Sequence, residues 1–415
     1  MTAGPESPKA PLVFRWSLRS APLALLLAFV LAGRTARAES RSVTLREAVH
    51  LAMTASPAAV DARLQRDVQD SQREAAALPP LQNPTFDSSV ERGSFYVDVV
   101  ASAQMVFRFE VSGQRAARMR EVDELLRARD ARIKVAHAEV SGAVADVVGS
   151  LLAARERIVE VKRGLAAAED EERMNRARAI VGDATVVDVA SAEAEAGRWR
   201  QVLRTAEMAV VSARARLAQL VADDAIDVSA ALFPPEVDAR VDATAVPAAR
   251  ALEAEASASL ASAERSRREA NPTLDFGPRF TRGDNTELRS AVVLSGQLPL
   301  FRRNQAEIAR AEAEAVRAKR LAEVSRSVAQ KRVRSAEERL RIARAALADL
   351  EANAIPSAER TVSAANEAFR AGKADFFRVL LARRDLVTTR MRRIEIAELA
   401  WAAYAELLTA GAIEP

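Results

Sequence analysis

The sequence is written twice, and no other feature constrains its fold as much. Asn83-Pro84-Thr85-Phe86-Asp87 returns as Asn271-Pro272-Thr273-Leu274-Asp275, Arg92-Gly93 as Arg282-Gly283, and Gly113-Gln114 is echoed by Asn304-Gln305. Val181-Gly182-Asp183-Ala184 is matched by Ala371-Gly372-Lys373-Ala374. The offset stays near ~190 residues, and the landmarks keep their order in both halves. The division that follows is a first repeat over 39–222, a linker over 223–246 and a second repeat over 247–415.

Each half reads as helix, hairpin, very long helix, turn, helix. A first helix from Pro57 stops at Leu78, before Pro79-Pro80, because proline has no N–H for the ladder and disfavours helix in the residue before it. From Arg115 to Ile180 there is no proline, and apolar residues recur at steps of three and four: Ile133, Val140, Val144, Val147, Leu151, Ala154, Ile158, Val161, Leu165, Ala168. His137 falls on the same seam and reads as a packed core residue; His50 has no evident partner. Such a seam makes helices supercoil side by side, here over roughly 100 Å. The second long helix runs from Gln305 to Arg370, with Val333, Ala336, Leu340, Ala343, Leu347, Leu350 and Ala354 on its seam; Pro356 should kink it or open a local turn. Shorter helices from Ala184 to Val221 and from Lys373 to Thr409 return after the glycines. Stacked end to end with the earlier short helix of its half, each can cover a long neighbour.

Four segments alternate apolar and polar residues: Thr85 to Glu91, Phe95 to Met105, Thr273 to Thr281 and Leu288 to Leu298. Runs of about ten such residues span a bilayer when tilted, with lipid on one side and water on the other. A soluble two-sheet domain would alternate in the same way. The N-terminus favours the membrane reading. Arg15 and Arg19 precede an apolar run from Ala21 to Ala32, and Ala36-Arg37-Ala38 supplies a small-residue cleavage site, so residues 1–38 read as a signal peptide cleaved after Ala38. Four strands leave edges that lipid cannot satisfy, so several copies must contribute, and three copies give twelve strands.

The formal charge of +4 lies entirely in that leader, where Lys9, Arg15, Arg19, Arg34 and Arg37 face Glu6 alone. The rest is balanced, and the basic pI gives no argument for nucleic acid. Cysteine is absent, which excludes disulfides, thiolate metal sites, thiol nucleophiles and a lipidated N-terminal cysteine. Aromatic residues are only 4%, thin for a compact enzyme core of this length. Asp275-Phe276-Gly277 spells a kinase magnesium motif without the rest of the kinase set, and Arg282-Gly283-Asp284 is an ordinary hairpin end. No arrangement of residues points to catalysis or a cofactor.

Over essentially the whole mature chain, the duplication, the two Asn-Pro-Thr-x-Asp strand starts and the long-helix, glycine-turn, helix passages resemble the TolC-type outer-membrane efflux family. Gln297-Leu298-Pro299-Leu300-Phe301-Arg302-Arg303-Asn304-Gln305-Ala306-Glu307-Ile308 and Gly113-Gln114-Arg115-Ala116-Ala117-Arg118 are similar to its CzcC-like branch, which exports heavy-metal cations. The resemblance implies a mainly α chain with a membrane β part. Three copies would form an α-helical barrel continuous with a twelve-stranded transmembrane β-barrel, four strands per chain. It implies a passive duct in the outer membrane that reaches into the periplasm. Its partners would be outer-membrane lipid, a periplasmic adaptor protein and an inner-membrane pump of the resistance–nodulation–division type.

The family places adaptor contact at the helix-to-helix turns, here Val181, Gly182 and Asp183, and Ala371, Gly372 and Lys373. An acidic residue often follows six positions after the glycine at the pore constriction. Asp188 fits; the second half departs, with Arg378 in that place and Asp375 three residues earlier. The residues leave two alternatives open: a duct for drugs or other small molecules, and a periplasmic adaptor or coiled-coil scaffold. An adaptor would show a single hairpin between lipoyl-like halves. A scaffold would lack the amphipathic strands.

Overall fold

The computed structural model describes residues 41–78, 83–92, 99–237, 246–283, 287–296, 300–374 and 376–414. The expected signal segment, Phe95 to Asp98, residues 238–245 of the linker, Gln297 to Pro299 and Asp375 lie outside them.

β1 (Arg41–Val43), α1 (Leu45–Ala55) and α2 (Pro57–Ala77) lead to a hairpin of β2 (Thr85–Arg92) and β3 (Val99–Phe109). α3 (Gln114–Ile180), α4 (Val186–Val221) and β4 (Ile226–Val228) follow. α5 (Pro247–Glu269) leads to a second hairpin, β5 (Leu274–Arg282) and β6 (Leu288–Ser295). Then come α6 (Gln305–Asp349), a π-helical turn (Leu350–Ala354), α7 (Ile355–Arg370) and α8 (Phe376–Thr409). β1 pairs with β4, and the two hairpins join into one antiparallel sheet in the order β2-β3-β5-β6. β3 runs on to Phe109, past the expected end at Met105, and β6 stops at Ser295.

Both long helices begin alike. Gly113 (φ 77°) and Asn304 (φ 57°) take left-handed backbone, which glycine adopts freely and asparagine more readily than most residues. The glutamine that follows each accepts, through its side-chain Oε1, the N–H two residues back: Ser112 to Gln114 and Arg303 to Gln305, both 2.9 Å. The Gly-Gln and Asn-Gln echo is thus one helix start used twice.

α3 has 67 residues, about 100 Å at 1.5 Å per residue. α2 and α4 lie on one flank and α5 and α8 on the other, with α6 packed outside the second pair. Cross-helix ion pairs locate them. Arg73 of α2 meets Asp123 and Arg265 of α5 meets Glu121 near the start of α3, whereas Arg176 meets Glu193 of α4 near its end. Val140, Val144, Val147, Leu151, Ala154, Val161 and Ala168 are buried along the seam. His137 is not: it is exposed between buried Ala136 and Ala138, with Nδ1 3.4 Å from the Ser141 hydroxyl. The reason is geometric. With neighbours on two flanks, α3 buries two stripes, and a single heptad count misplaces positions that fall between them.

Glycines let those neighbours approach. A Cβ at Gly149 would stand 2.2 Å from the Trp401 Cβ, one at Gly142 1.9 Å from the Thr409 hydroxyl, and one at Gly164 2.8 Å from the Trp199 ring. Trp401 is 2% exposed, and its indole N–H donates to the Leu232 carbonyl at 2.9 Å.

Pro356 acts on the turn before it. In an α-helix its ring would press on the carbonyl of Ala352 and no N–H would be available at that position. The preceding turn widens instead, with the Ile355 N–H donating to the Leu350 carbonyl five residues back. Neither this turn nor α7 has a fully buried residue. Arg393 and Arg390 of α8 reach Glu351 at 3.1 Å and Glu359 at 2.7 Å, and each also approaches a carboxylate of α3, Glu156 and Glu160, at 3.6 Å.

Replacing Gly149 with valine should destabilise the helix layer by on the order of 1–3 kcal/mol through overpacking against Trp401. Gly197→Ala, where a Cβ meets nothing within 4 Å, should be neutral or stabilising. Thermal unfolding of the two detergent-purified variants against the parent checks this.

Candidate channel-lining face and helix-turn tips

Side chains alternate along a strand, so the pairing register assigns each residue to one of two sheet faces. Phe86, Val90, Met105, Phe107, Phe109, Leu274, Phe276, Phe280, Leu288, Val292 and Leu294 share one face, and all are exposed. A contiguous apolar surface of that kind marks contact with lipid or a partner.

The other face is polar and internally bonded. Gln104 Nε2 donates to Asp87 Oδ2 at 3.1 Å, and Arg279 donates to Gln104 Oε1 from Nε at 2.9 Å and Nη2 at 2.6 Å. This ladder crosses β2, β3 and β5. Ser89 and Ser102 hydroxyls meet at 2.9 Å in the next row toward the hairpin turns. Nearer the helices, Arg108 makes two bonds to Asp275, at 2.9 and 3.2 Å. The aspartates of the two Asn-Pro-Thr-x-Asp starts therefore both face the polar side, with different partners.

The glycine turns are built alike. The Gly182 N–H donates to the Ala179 carbonyl at 3.1 Å and the Asp183 N–H to Arg178 at 2.8 Å; the Gly372 N–H donates to Phe369 at 3.0 Å and the Lys373 N–H to Ala368 at 2.9 Å. This bond pair closing on a left-handed residue is the Schellman ending, and φ is 80° at Gly182 and 68° at Gly372. A Cβ at either glycine would meet nothing within 4 Å, so the space beside both turns is open. Val181, Asp183, Ala371 and Lys373 are exposed, and Arg178 pairs with Asp183 at 3.2 Å. Ile180, Val186 and Val187 leave further apolar surface beside the first turn, each more than 70% exposed.

α4 and α8 start at Val186 and Phe376, later than expected, which makes Asp188 and Arg378 the third residue of each helix. Both lie in the first turn. Thr185 sets the first start. Its hydroxyl accepts the Asp188 N–H at 3.2 Å, while Asp188 Oδ2 accepts the Thr185 N–H at 2.8 Å and hydroxyl at 2.7 Å. Bonds from the Thr185 hydroxyl and backbone, with Arg178 nearby, hold the Asp188 carboxyl below the usual carboxylate range. Arg378 is exposed at the equivalent place, where the positive end of a helix disfavours a cation. Asp375 lies outside the described residues. Further along α3, burial first and Glu195 second push the Glu171 carboxyl up, against the pull of Arg383.

No protein-family model matches the chain. It is 26% identical over 308 residues to the cobalt-zinc-cadmium resistance protein CzcC of Cupriavidus metallidurans, which covers 71% of this chain and 73% of that protein. In three dimensions it is similar to a membrane protein from Pseudomonas aeruginosa, with a TM-score of 0.74, 19% identity and coverage of 98% and 99% of the two chains. It is also similar to the CmeC outer membrane channel of Campylobacter jejuni, with a TM-score of 0.72, 15% identity and coverage of 89% and 85%. The fold is that of the TolC-type outer-membrane efflux channels.

Of this TolC-type framework, sequence reasoning located the turn glycines and the two sheet faces. It missed Thr185, although Thr-x-x-Asp after a glycine is a readable capping box. It also missed the Asp87–Gln104–Arg279 ladder and the Arg390 and Arg393 bridges, which depend on register and packing.

Thr185→Ala should raise hydrogen exchange at the start of α4 and leave the start of α8 unchanged. The Asp188 pKa is lowered on folding, so this cap contributes fully above the ordinary aspartate range and is lost as pH falls through the lowered value. Exchange mass spectrometry against pH should show protection of the Thr185, Asp188 and Val189 amides decline only on acidification, and no such decline in Thr185→Ala.

Proposed function

We propose that the chain is one subunit of a trimeric outer-membrane duct. It would pass heavy-metal cations received from an adaptor and an inner-membrane pump of the resistance–nodulation–division type. The observation that carries this is the two-faced sheet, apolar and exposed on one side, polar and cross-bonded on the other. In a single copy β2 and β6 are its edges, and unpaired strand edges cost several kcal/mol per group in hydrocarbon. Joining β6 of one copy to β2 of the next closes twelve strands, with the Asp87–Gln104–Arg279 ladders lining the lumen.

The helix layer has the same requirement. Val68, Met208 and Val211 on α2 and α4, and Val316 and Val324 on α6, stay exposed at its two outer edges and would be covered by neighbouring copies. The repeats 39–222 and 247–415, joined by the linker 223–246, would then alternate around the barrel. The leader would be removed after Ala38, and the sequence offers no cysteine to lipidate at the new N-terminus. The cargo class rests on the similarity to a cobalt-zinc-cadmium resistance protein.

In this reading Val181, Gly182, Asp183, Ala371, Gly372 and Lys373 meet the adaptor, while Asp188 and Arg378 line the constriction. The Asp188 carboxylate also caps its own helix start, and Arg378 stands in the first turn of α8. Arg378→Asp should raise single-channel conductance and cation preference in planar bilayers at low salt; conductance like the parent's would assign Arg378 to packing or adaptor contact. Deleting the gene should lower tolerance to cobalt, zinc and cadmium, with restoration by the parent chain. Unchanged tolerance with a conducting protein would move the cargo to other small molecules.

A further inference from the structure

We propose that Arg92 and Arg282 form a binding site for the phosphate groups of lipid in the outer leaflet, an inference that rests on the duct reading. The register puts both on the apolar face of the sheet. Arg92 stands opposite Val99, and one row below it Val90, Ala101, Arg282 and Leu288 run across all four strands. These two are the only cations on that face among the described residues, and each closes the first strand of its hairpin. The opposite end of the same face carries Phe107, Phe109 and Leu274. Arg108 and Asp275 at that end point to the polar side, where they pair with each other.

Position then supplies the chemistry. The strands join the helices at one end, so the hairpin ends are the far, outward rim of the duct. Arg282 lies about 27 Å along β5 from Leu274 at ~3.4 Å per residue, about 19–22 Å across the membrane at the ~35–45° tilt of barrel strands, which is most of their ~25 Å apolar band. A long side chain there can lay its stem on the apolar surface and hold its guanidinium at head-group level. Guanidinium groups take phosphate oxygens in a bidentate fork, which a lone ammonium cannot do. Neither arginine has an ion-pair partner among the described residues. Val90 and Leu288, exposed in the same row as Arg282, offer the acyl contact that a free phosphate ion would not use. Two arginines about two strands apart, repeated in three copies, would ring the barrel with phosphate contacts at one leaflet only.

The test is native mass spectrometry of the detergent-purified full-length protein titrated with diphosphorylated lipid A. The parent should retain the lipid, and Arg92→Gln with Arg282→Gln should bind it at least about tenfold more weakly, as expected for the loss of charge-assisted bonds. Arg289→Gln, at the same rim on the polar face, should bind like the parent, and a double lysine variant should fall between. Phosphatase-treated lipid A should bind the parent no better than the double glutamine variant binds the intact lipid. Equal binding by parent and double variant, or by intact and dephosphorylated lipid, overturns the site, as does full displacement by inorganic phosphate. A parent that forms no conducting channel in planar bilayers removes the duct reading and this inference with it. A parent that conducts but ignores the phosphates removes this inference alone.

Discussion

The helix layer depends on how closely its members can approach α3, and that is set by what α3 lacks. Gly142, Gly149 and Gly164 remove side chains where Thr409, Trp401 and Trp199 come in, and alanine lines much of the remaining seam. Two of the chain's three tryptophans occupy these notches. A chain with so few aromatic residues gains its dense contacts by thinning one helix instead of thickening the others. The sheet follows from this spacing, since α2, α3, α5 and α6 each connect directly to one of its strands.

Beyond the π turn the means of attachment changes. α7 has no fully buried residue and is held to α8 with the help of ion pairs such as Arg390–Glu359, and the turn itself is held by Arg393–Glu351. Exposed pairs of this kind contribute about 0–1 kcal/mol each and weaken with salt. Full burial therefore anchors α3 and α6, while α7 is held by a half-buried stripe of Ile355, Val362 and Phe369 together with these ionic contacts. Local opening favours segments held in that way.

What could be read from the sequence divides along the same line. Alternation assigned Phe276, Phe280 and Val292 to one face and Asp275 and Arg279 to the other, because a strand's period is independent of its partners. Gly182 and Gly372 were legible because a left-handed residue at a helix end is a local requirement. His137 was misplaced because its surroundings depend on which flanks of α3 are covered. The partner of Arg279 depends on the β3–β5 register, which joins positions 175 residues apart in sequence. The first turn of α4 lies between these cases: Thr185 and Asp188 spell a capping box locally, whereas the place of the same carboxylate at a pore constriction comes from the family resemblance alone.

The π turn has a consequence of phase. Each residue in an α-helix advances the side-chain direction by about 100°, and a π turn takes up one extra residue without adding a helical turn. The stripe carried by Val333, Ala336, Leu340 and Ala343 is therefore taken up in α7 by half-buried Ile355, Ala358, Val362 and Phe369, one position later than an unbroken α-helix would place it. Both helices lie against α8, so one stretch of chain keeps one partner through two numbering frames. Proline at position 356 holds that offset, so which side chains α7 turns toward α8 is written into the backbone as well as into the residues themselves.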